Sequence, residues 1–349
     1  MIGSAVSAPA CRTGRTGPTR PTGLTGARRL LLAPLALLAG CGGGPAPAPE
    51  PEPRPLTVFN AAGLTPLLEA VRADCRRELG IRLLTEGSGS QVACRKASEL
   101  GRRCDLIMLA DAQLVAKLLG GVSSWRLDFA SDEVVLGVGA RAPRSAEAER
   151  DWPAVLLSDD VRLGRVDERL APIGYRTLQV WKLQERLGPA GLHDRLLARC
   201  SKVVDDVNRL TPLLKAGELD YAFAYRSSCI AHDVRYVRLD RRVNLGAPEV
   251  DYSAAEAGYE QVAAGVRRRV TFRGELAVWT LTVPDRGADA ELAGKFVRWL
   301  LTGKKEVLDK HGFRPLKPAR FRGPEPAFRA FSAVAERAGE LEAGSEARP

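Results

Sequence analysis

From residue 56 onward, short apolar runs alternate with segments whose apolar positions recur every three or four residues. Residues 56–60 (LTVFN) form a β-branched and aromatic run, with Gly63, Thr65 and Pro66 close behind it. Proline suits the first turn of a helix, and Thr65 is its expected cap. Leu67, Leu68, Val71 and Leu79 then share one helical face. Residues 81–84 (IRLL) predict a second strand, 87–90 (GSGS) a turn, and 91–100 a helix. Residues 104–109 (CDLIML) read as a buried strand. The alternation continues with a strand at 133–139, the first crossing into a second lobe, and a short strand at 161–164. A turn and helix follow over 172–187, then a short strand at 203–204, and a helix capped by Asp205 or Asp206 that runs to 216. A strand at 221–225, a return strand at 275–283, an amphipathic helix at 292–301 and a surface helix over 327–341 complete the pattern. Strands alternating with helices predict an α/β fold with parallel-rich sheets and flanking helices.

The first 55 residues follow a different pattern. Arg12, Arg15, Arg20, Arg28 and Arg29 precede an uncharged apolar run over 30–40, which ends at Cys41. This is the order of a secretory signal, and the run is far short of the roughly 20 residues of a spanning helix. The segment 38–41 (LAGC) resembles the bacterial lipobox, which implies cleavage before Cys41 and acylation of that residue. Residues 42–55 alternate proline with small or charged residues and read as an extended tether, rising about 3.1 Å per residue. The expected parts are therefore a signal peptide at 1–40 and a lipidated cysteine with its tether at 41–55.

Composition narrows the function. The formal charge is +10, but five of those charges sit in the signal, leaving about +5 on the mature chain. No basic run interleaved with aromatics stands out, so nucleic acid is not an expected partner. His193, His232 and His311 are scattered, and no cysteines stand in C-x-x-C pairs, so neither a resident metal cofactor nor a histidine-centred catalytic site is expected. Cys75, Cys94, Cys104, Cys200 and Cys229 remain in the mature chain, in an exported setting that permits disulfides. Lys215 and Arg176 are placed on solvated helix faces. Asp105 and Asp111 are expected to organise turns or caps.

Four helix starts follow strands through small-residue turns: 61–63 (AAG), 87–90 (GSGS), 171–174 (APIG) and 205–207 (DDV). Helix starts carry unpaired N–H groups and the positive end of the dipole. Several of them converging would hold an oxyanion without any full positive charge.

Residues 59–65 (FNAAGLT), 87–96 (GSGSQVACRK), 104–111 (CDLIMLAD), 171–178 (APIGYRTL), 216–227 (AGELDYAFAYRS), 243–246 (VNLG) and 310–313 (KHGF) carry a resemblance in order and spacing. Together they resemble the periplasmic molybdate- and tungstate-binding proteins of ABC importers, from residue 56 to about 323. The resemblance implies a two-lobed type II periplasmic-binding-protein fold with a hinge. Its expected parts are a first lobe at 56–132, a second lobe at 133–226, a return to the first lobe with the hinge at 227–325, and a C-terminal helix and tail at 326–349. It also implies a ligand set. Ser90 and Tyr225 match hydroxyl donors, and Ala171 and Val207 match backbone N–H donors. In the tungstate type, positions 171 and 207 carry Asp and Glu. Their absence here favours a tetrahedral, hydrogen-bonded ion. The family's first serine stands as Gly63, so a hydroxyl is lost there, and Asn60 or Thr65 is the expected substitute. On this reading, a serine restored at 63 should tighten binding.

The function expected is that of an exported, lipid-anchored, monomeric solute-binding protein with no enzymatic activity and no cofactor. It captures molybdate or tungstate for an ABC permease. The alternatives are an oxyanion sensor or scaffold lipoprotein of the same fold, and sulfate or phosphate binding.

Overall fold

The computed structural model describes residues 52–263 and 266–341. The signal, Cys41 and residues 42–51 of the tether lie outside the described residues, and the last two residues of the expected tether, Arg54 and Pro55, belong instead to the first strand, paired with Ile81 and Arg82. Among the described residues, no helix is long and apolar enough to cross a membrane.

The chain order begins β1 (Arg54–Ala61), α1 (Thr65–Leu79), β2 (Ile81–Ser88), α2 (Ser90–Ser98), β3 (Leu106–Leu109), α3 (Gln113–Leu118) and β4 (Arg126–Ser131). It continues with β5 (Val134–Val138), α4 (Ser145–Leu156), β6 (Leu163–Val166), α5 (Pro172–Glu185), α6 (Leu192–Arg199), β7 (Cys200–Val204), α7 (Val207–Lys215), β8 (Tyr221–Tyr225), α8 (Arg226–Ala231) and β9 (Arg235–Arg238). A hairpin follows, β10 (Glu256–Ala263) and β11 (Val266–Arg273), then β12 (Val278–Thr282), α9 (Ala290–Gly303), α10 (Lys305–Lys310), β13 (Arg314–Arg322), α11 (Glu325–Phe328) and β14 (Ala335–Arg337).

Two sheets result. The first has the order β14-β13-β4-β12-β3-β1-β2, and the second β7-β6-β8-β5-β9. Each carries a parallel core, β2-β1-β3 and β7-β6-β8, with antiparallel strands beside it. The buried runs of β3 and β5 are covered on both faces, which is why they read as unbroken apolar stretches. The second sheet extends past residue 226, the boundary expected from sequence, because Arg235–Arg238 still pairs with β5.

The crossing between the sheets is pinned at Asp132. One carboxylate oxygen accepts from the Glu133 N–H at 2.8 Å and the other from Trp279 Nε1 at 3.1 Å. Burial pushes this carboxyl up to about 6.

The C-terminal region corrects the sequence reading. In place of a helix over 327–341 there is one helical turn, a 3-10 turn and the short strand β14, paired parallel to β13. The apolar spacing has another cause. Phe328 and Phe331 pack on Phe321, and Phe331 also meets Trp125, so these aromatics fasten the segment to the first sheet. The five cysteines among the described residues are free thiols, and burial pushes Cys75, Cys104 and Cys229 up to about 12 and Cys200 up to about 11.

Candidate functional site

The strand-to-helix turns of both sheets meet at one cavity. Gly63 reaches it from the short turn after β1, Ser90 from the start of α2, Ala171 from the residue before α5, Val207 from the start of α7, and Tyr225 from the end of β8. Ala110, Ile173, Asp206 and Trp279 complete much of the wall. The carboxyl ends of strands are the usual ligand side of an open α/β sheet. The space open to the centre of a water-sized sphere is only ≈ 20 Å³, which suits a compact ion rather than an extended organic molecule.

The wall is mostly apolar at its surface and holds no lysine, arginine or histidine. The N–H groups of Gly63, Ser90, Ile173 and Val207 have no acceptor among the described residues. Asp206 is the one carboxylate in the wall, and it is already occupied. Its Oδ1 accepts from Asn208 N at 2.9 Å and Arg209 N at 3.3 Å, which leaves the Val207 N–H free.

Two hydroxyls meet the same residue from opposite sheets. Ser90 Oγ accepts from the Ala110 N–H at 3.1 Å, and Tyr225 donates to the Ala110 carbonyl at 3.2 Å. The bond to Ser90 fixes its oxygen and leaves its own proton without an acceptor among the described residues. Burial pushes the Tyr225 hydroxyl up, so it is a neutral donor at physiological pH, although nearby Arg176 pulls the other way.

Beside Ala110 lies a charged clasp. Arg176 on α5 is fully buried and donates to Asp111 at 2.7 Å and to the Glu275 carbonyl at 3.0 Å. Tyr175 donates to the same Asp111 oxygen at 2.7 Å. Burial, followed by the charge of Asp111, pushes the Glu275 carboxyl up to about 7. Nearby, Gln91 Nε2 donates to the Glu168 carbonyl at 2.9 Å and Arg95 to the Arg169 carbonyl at 3.2 Å, so α2 is tied to the loop that precedes α5.

Of the six ligand residues read from sequence, Gly63, Ser90, Ala171, Val207 and Tyr225 line this cavity. Thr65 does not line it. It is the first residue of α1 rather than its cap, and its Oγ1 accepts from Asn60 Nδ2 at 3.1 Å. Neither residue therefore supplies the hydroxyl missing at Gly63. The Ala171 N–H is also committed elsewhere, to the Asp167 carbonyl at 3.2 Å, because the turn before α5 closes through it. Pro172 has no N–H, so Ile173 carries the first free donor of that helix. A serine at 63 meets an obstacle too, because its Cβ would lie 2.9 Å from the Trp279 ring.

Arg176 is the largest correction, being a buried ion-pair partner rather than a solvated side chain. A signal was present: it is the only charged residue in 172–181 (PIGYRTLQVW). Lys215 is half exposed, as expected. Asp105 and Asp111 do organise backbone, accepting from the N–H groups of Thr57 and Gln113 at 2.8 Å each. Among the described residues, no group of three or more His, Cys, Asp or Glu side chains could hold a metal ion.

Comparison with known proteins agrees on the kind of molecule. The family model described as bacterial extracellular solute-binding protein matches residues 56–314. The molybdate/tungstate-binding protein WtpA of Pyrococcus abyssi is 26% identical, over 79% of this chain and 89% of that one. A putative ABC transporter molybdenum-binding protein of Haloferax volcanii is 31% identical, over 67% of this chain and 74% of that one. Among solved structures, the periplasmic molybdate-binding protein of Azotobacter vinelandii superposes with a TM-score of 0.53 at 18% identity. That match covers 74% of this chain and 98% of that one, and shows a shared type II periplasmic-binding fold.

Proposed function

The chain belongs to the bacterial extracellular solute-binding protein family, and on that footing we propose that it captures a tetrahedral oxyanion, molybdate or tungstate, and delivers it to an ABC permease. One observation carries the reading: free N–H groups from both sheets, with the hydroxyls of Ser90 and Tyr225, converge on one small cavity whose wall has no cation. Preorganised neutral donors suit an ion that must be released again as well as bound. The names of the relatives point to the same ion class. Capture works by closure of the two sheets on the ion, with Tyr225 turning its hydroxyl from Ala110 to the ligand.

Calorimetric titration with molybdate, tungstate, sulfate and phosphate tests the reading. Hydrogen bonds to charged acceptors are worth about 1.5–3 kcal/mol. Ser90→Ala and Tyr225→Phe should each weaken molybdate binding by about tenfold to a hundredfold, and Ser90→Ala should also lower stability by about 1–3 kcal/mol, because it leaves the buried Ala110 N–H without its acceptor. Parent-like binding by both variants would remove this cavity as the site. A parent chain that binds none of the four anions would favour a sensor or scaffold of the same fold.

The proposal extends to the cell envelope. Cys41 is the acylated first residue of the mature chain, and residues 42–53 are the tether that lets the binding domain reach the permease. Two or more acyl chains anchor stably where one does not. Replacing Cys41 with Ser should give an unprocessed, unacylated precursor. Mass spectrometry of the parent finding a free N-terminus at another residue would exclude the anchor.

A further inference from the structure

We infer that Trp279 determines which oxyanion the cavity accepts, by forming the wall at Gly63 with the edge of its ring and so favouring a large, weakly hydrated tetrahedral dianion over sulfate or phosphate. The inference rests on the oxyanion reading above and goes further by assigning its selectivity to one side chain.

The position of the ring is set by its neighbours. A Cβ at Gly63 would lie 2.9 Å from Trp279 Cη2 and 3.8 Å from Cζ2, so the outer edge of the six-membered ring lies against that residue. Trp279 is only 1% exposed and has no room to swing away. Its Nε1 is held by Asp132 at 3.1 Å, and its ring meets Tyr225 and Phe313 at centroid distances of 5.3 and 5.1 Å. Position 63 therefore has no space for a side chain, and this part of the wall presents C–H groups and no hydroxyl.

An aromatic edge carries the positive side of the ring quadrupole, so it tolerates an anion but gives it no strong hydrogen bond. The cost of that missing bond depends on how much hydration the ion gives up on entry. Sulfate and phosphate are smaller and hold water more tightly than molybdate or tungstate, so they lose more. The larger tetrahedron also reaches the ring edge, while the smaller one leaves a gap there. The hydroxyls of Ser90 and Tyr225 serve both classes alike, so the discrimination falls on Trp279.

The test is the molybdate-to-sulfate affinity ratio, measured by calorimetry on the full mature chain. The parent should prefer molybdate by tenfold or more. Trp279→Phe keeps an aromatic ring between Tyr225 and Phe313 but withdraws the outer edge, and it should shrink the preference by about tenfold. Gly63→Ala removes no group and crowds the same edge, since its methyl would lie 2.9 Å from Trp279 Cη2. It should weaken molybdate more than sulfate, and it reads the same wall should Trp279→Phe fold poorly. An unchanged ratio in Trp279→Phe, or equal losses for both anions in Gly63→Ala, overturns the assignment while leaving the oxyanion site standing. A parent that binds sulfate as well as molybdate overturns it too. A parent that binds no oxyanion overturns both readings.

Discussion

Gly89→Ala should abolish tight ligand binding while leaving the fold intact. Gly89 lies between β2 and α2, on the first sheet's side of the cavity. A Cβ there would stand 2.1 Å from the Leu170 carbonyl oxygen and 2.7 Å from its carbon, in the loop that leads to α5 on the second sheet's side. Carbon atoms in good contact sit about 3.5–4.0 Å apart, so the methyl cannot be accommodated without moving backbone. The residue's own conformation, φ −56° and ψ 144°, suits any amino acid, so no local strain accompanies the change. The overlap arises only where the two sides approach each other, which makes the methyl a wedge. Closure around the ligand is then incomplete, and the donors of Ser90 and Gly63 no longer reach the ion held by Val207 and Ile173. Affinity should fall by a hundredfold or more, about 2.8 kcal/mol or greater. Thermal stability and circular dichroism should stay near those of the parent, and small-angle scattering should show a more open particle even at saturating anion. Parent-like affinity would mean that binding does not need this approach of the two sides.

Much of the site was legible in the sequence because it is built from turn chemistry. Small residues between a strand and a helix mark free N–H groups, and that signal pointed to the four turns, whereas Gly63, Ser90, Ala171 and Val207 within them came from the family resemblance. What the sequence could not show was how each donor is spent. The Ala171 N–H goes to Asp167 because a five-residue turn closes there, and the donor role passes two residues on to Ile173. Trp279 was missed because strand periodicity says which face a residue occupies but not which turn its ring will touch. The hairpin β10–β11 was missed because the four arginines of its second strand (VRRRVTFR) mask the apolar alternation of Val266, Val270 and Phe272, although Phe272 stacks on Tyr175 at 4.0 Å between centroids. That stacking explains the error over Arg176. A helix covered by a sheet on one side and a hairpin on another is buried nearly all round, from Pro172 to Trp181. Periodicity assigns a helix a wet face by default, and here tertiary cover removes it. The return to the first sheet was legible as β12, whereas the short edge strand β14 was not, since three residues carry too little pattern.

Removing that buried charge should cause the largest loss of stability. Arg176 and Asp111 are each wholly buried and 2.7 Å apart, linking α5 to the end of β3 immediately after Ala110. Breaking a buried pair by deleting one partner costs about 3–5 kcal/mol, because the remaining charge has neither water nor a counter-ion. Arg176→Met should therefore lower the denaturation midpoint strongly in urea. Asp111→Asn should lower it as well, because it takes from the buried guanidinium its close counter-ion and leaves only the Glu275 carboxyl at 4.0 Å. The double variant Arg176→Met/Asp111→Asn leaves no buried charge from this pair, and it should recover a substantial part of the lost stability. A double variant no more stable than Arg176→Met alone would mean that Arg176 contributes packing alone and that its charge does nothing for the clasp beside Tyr225.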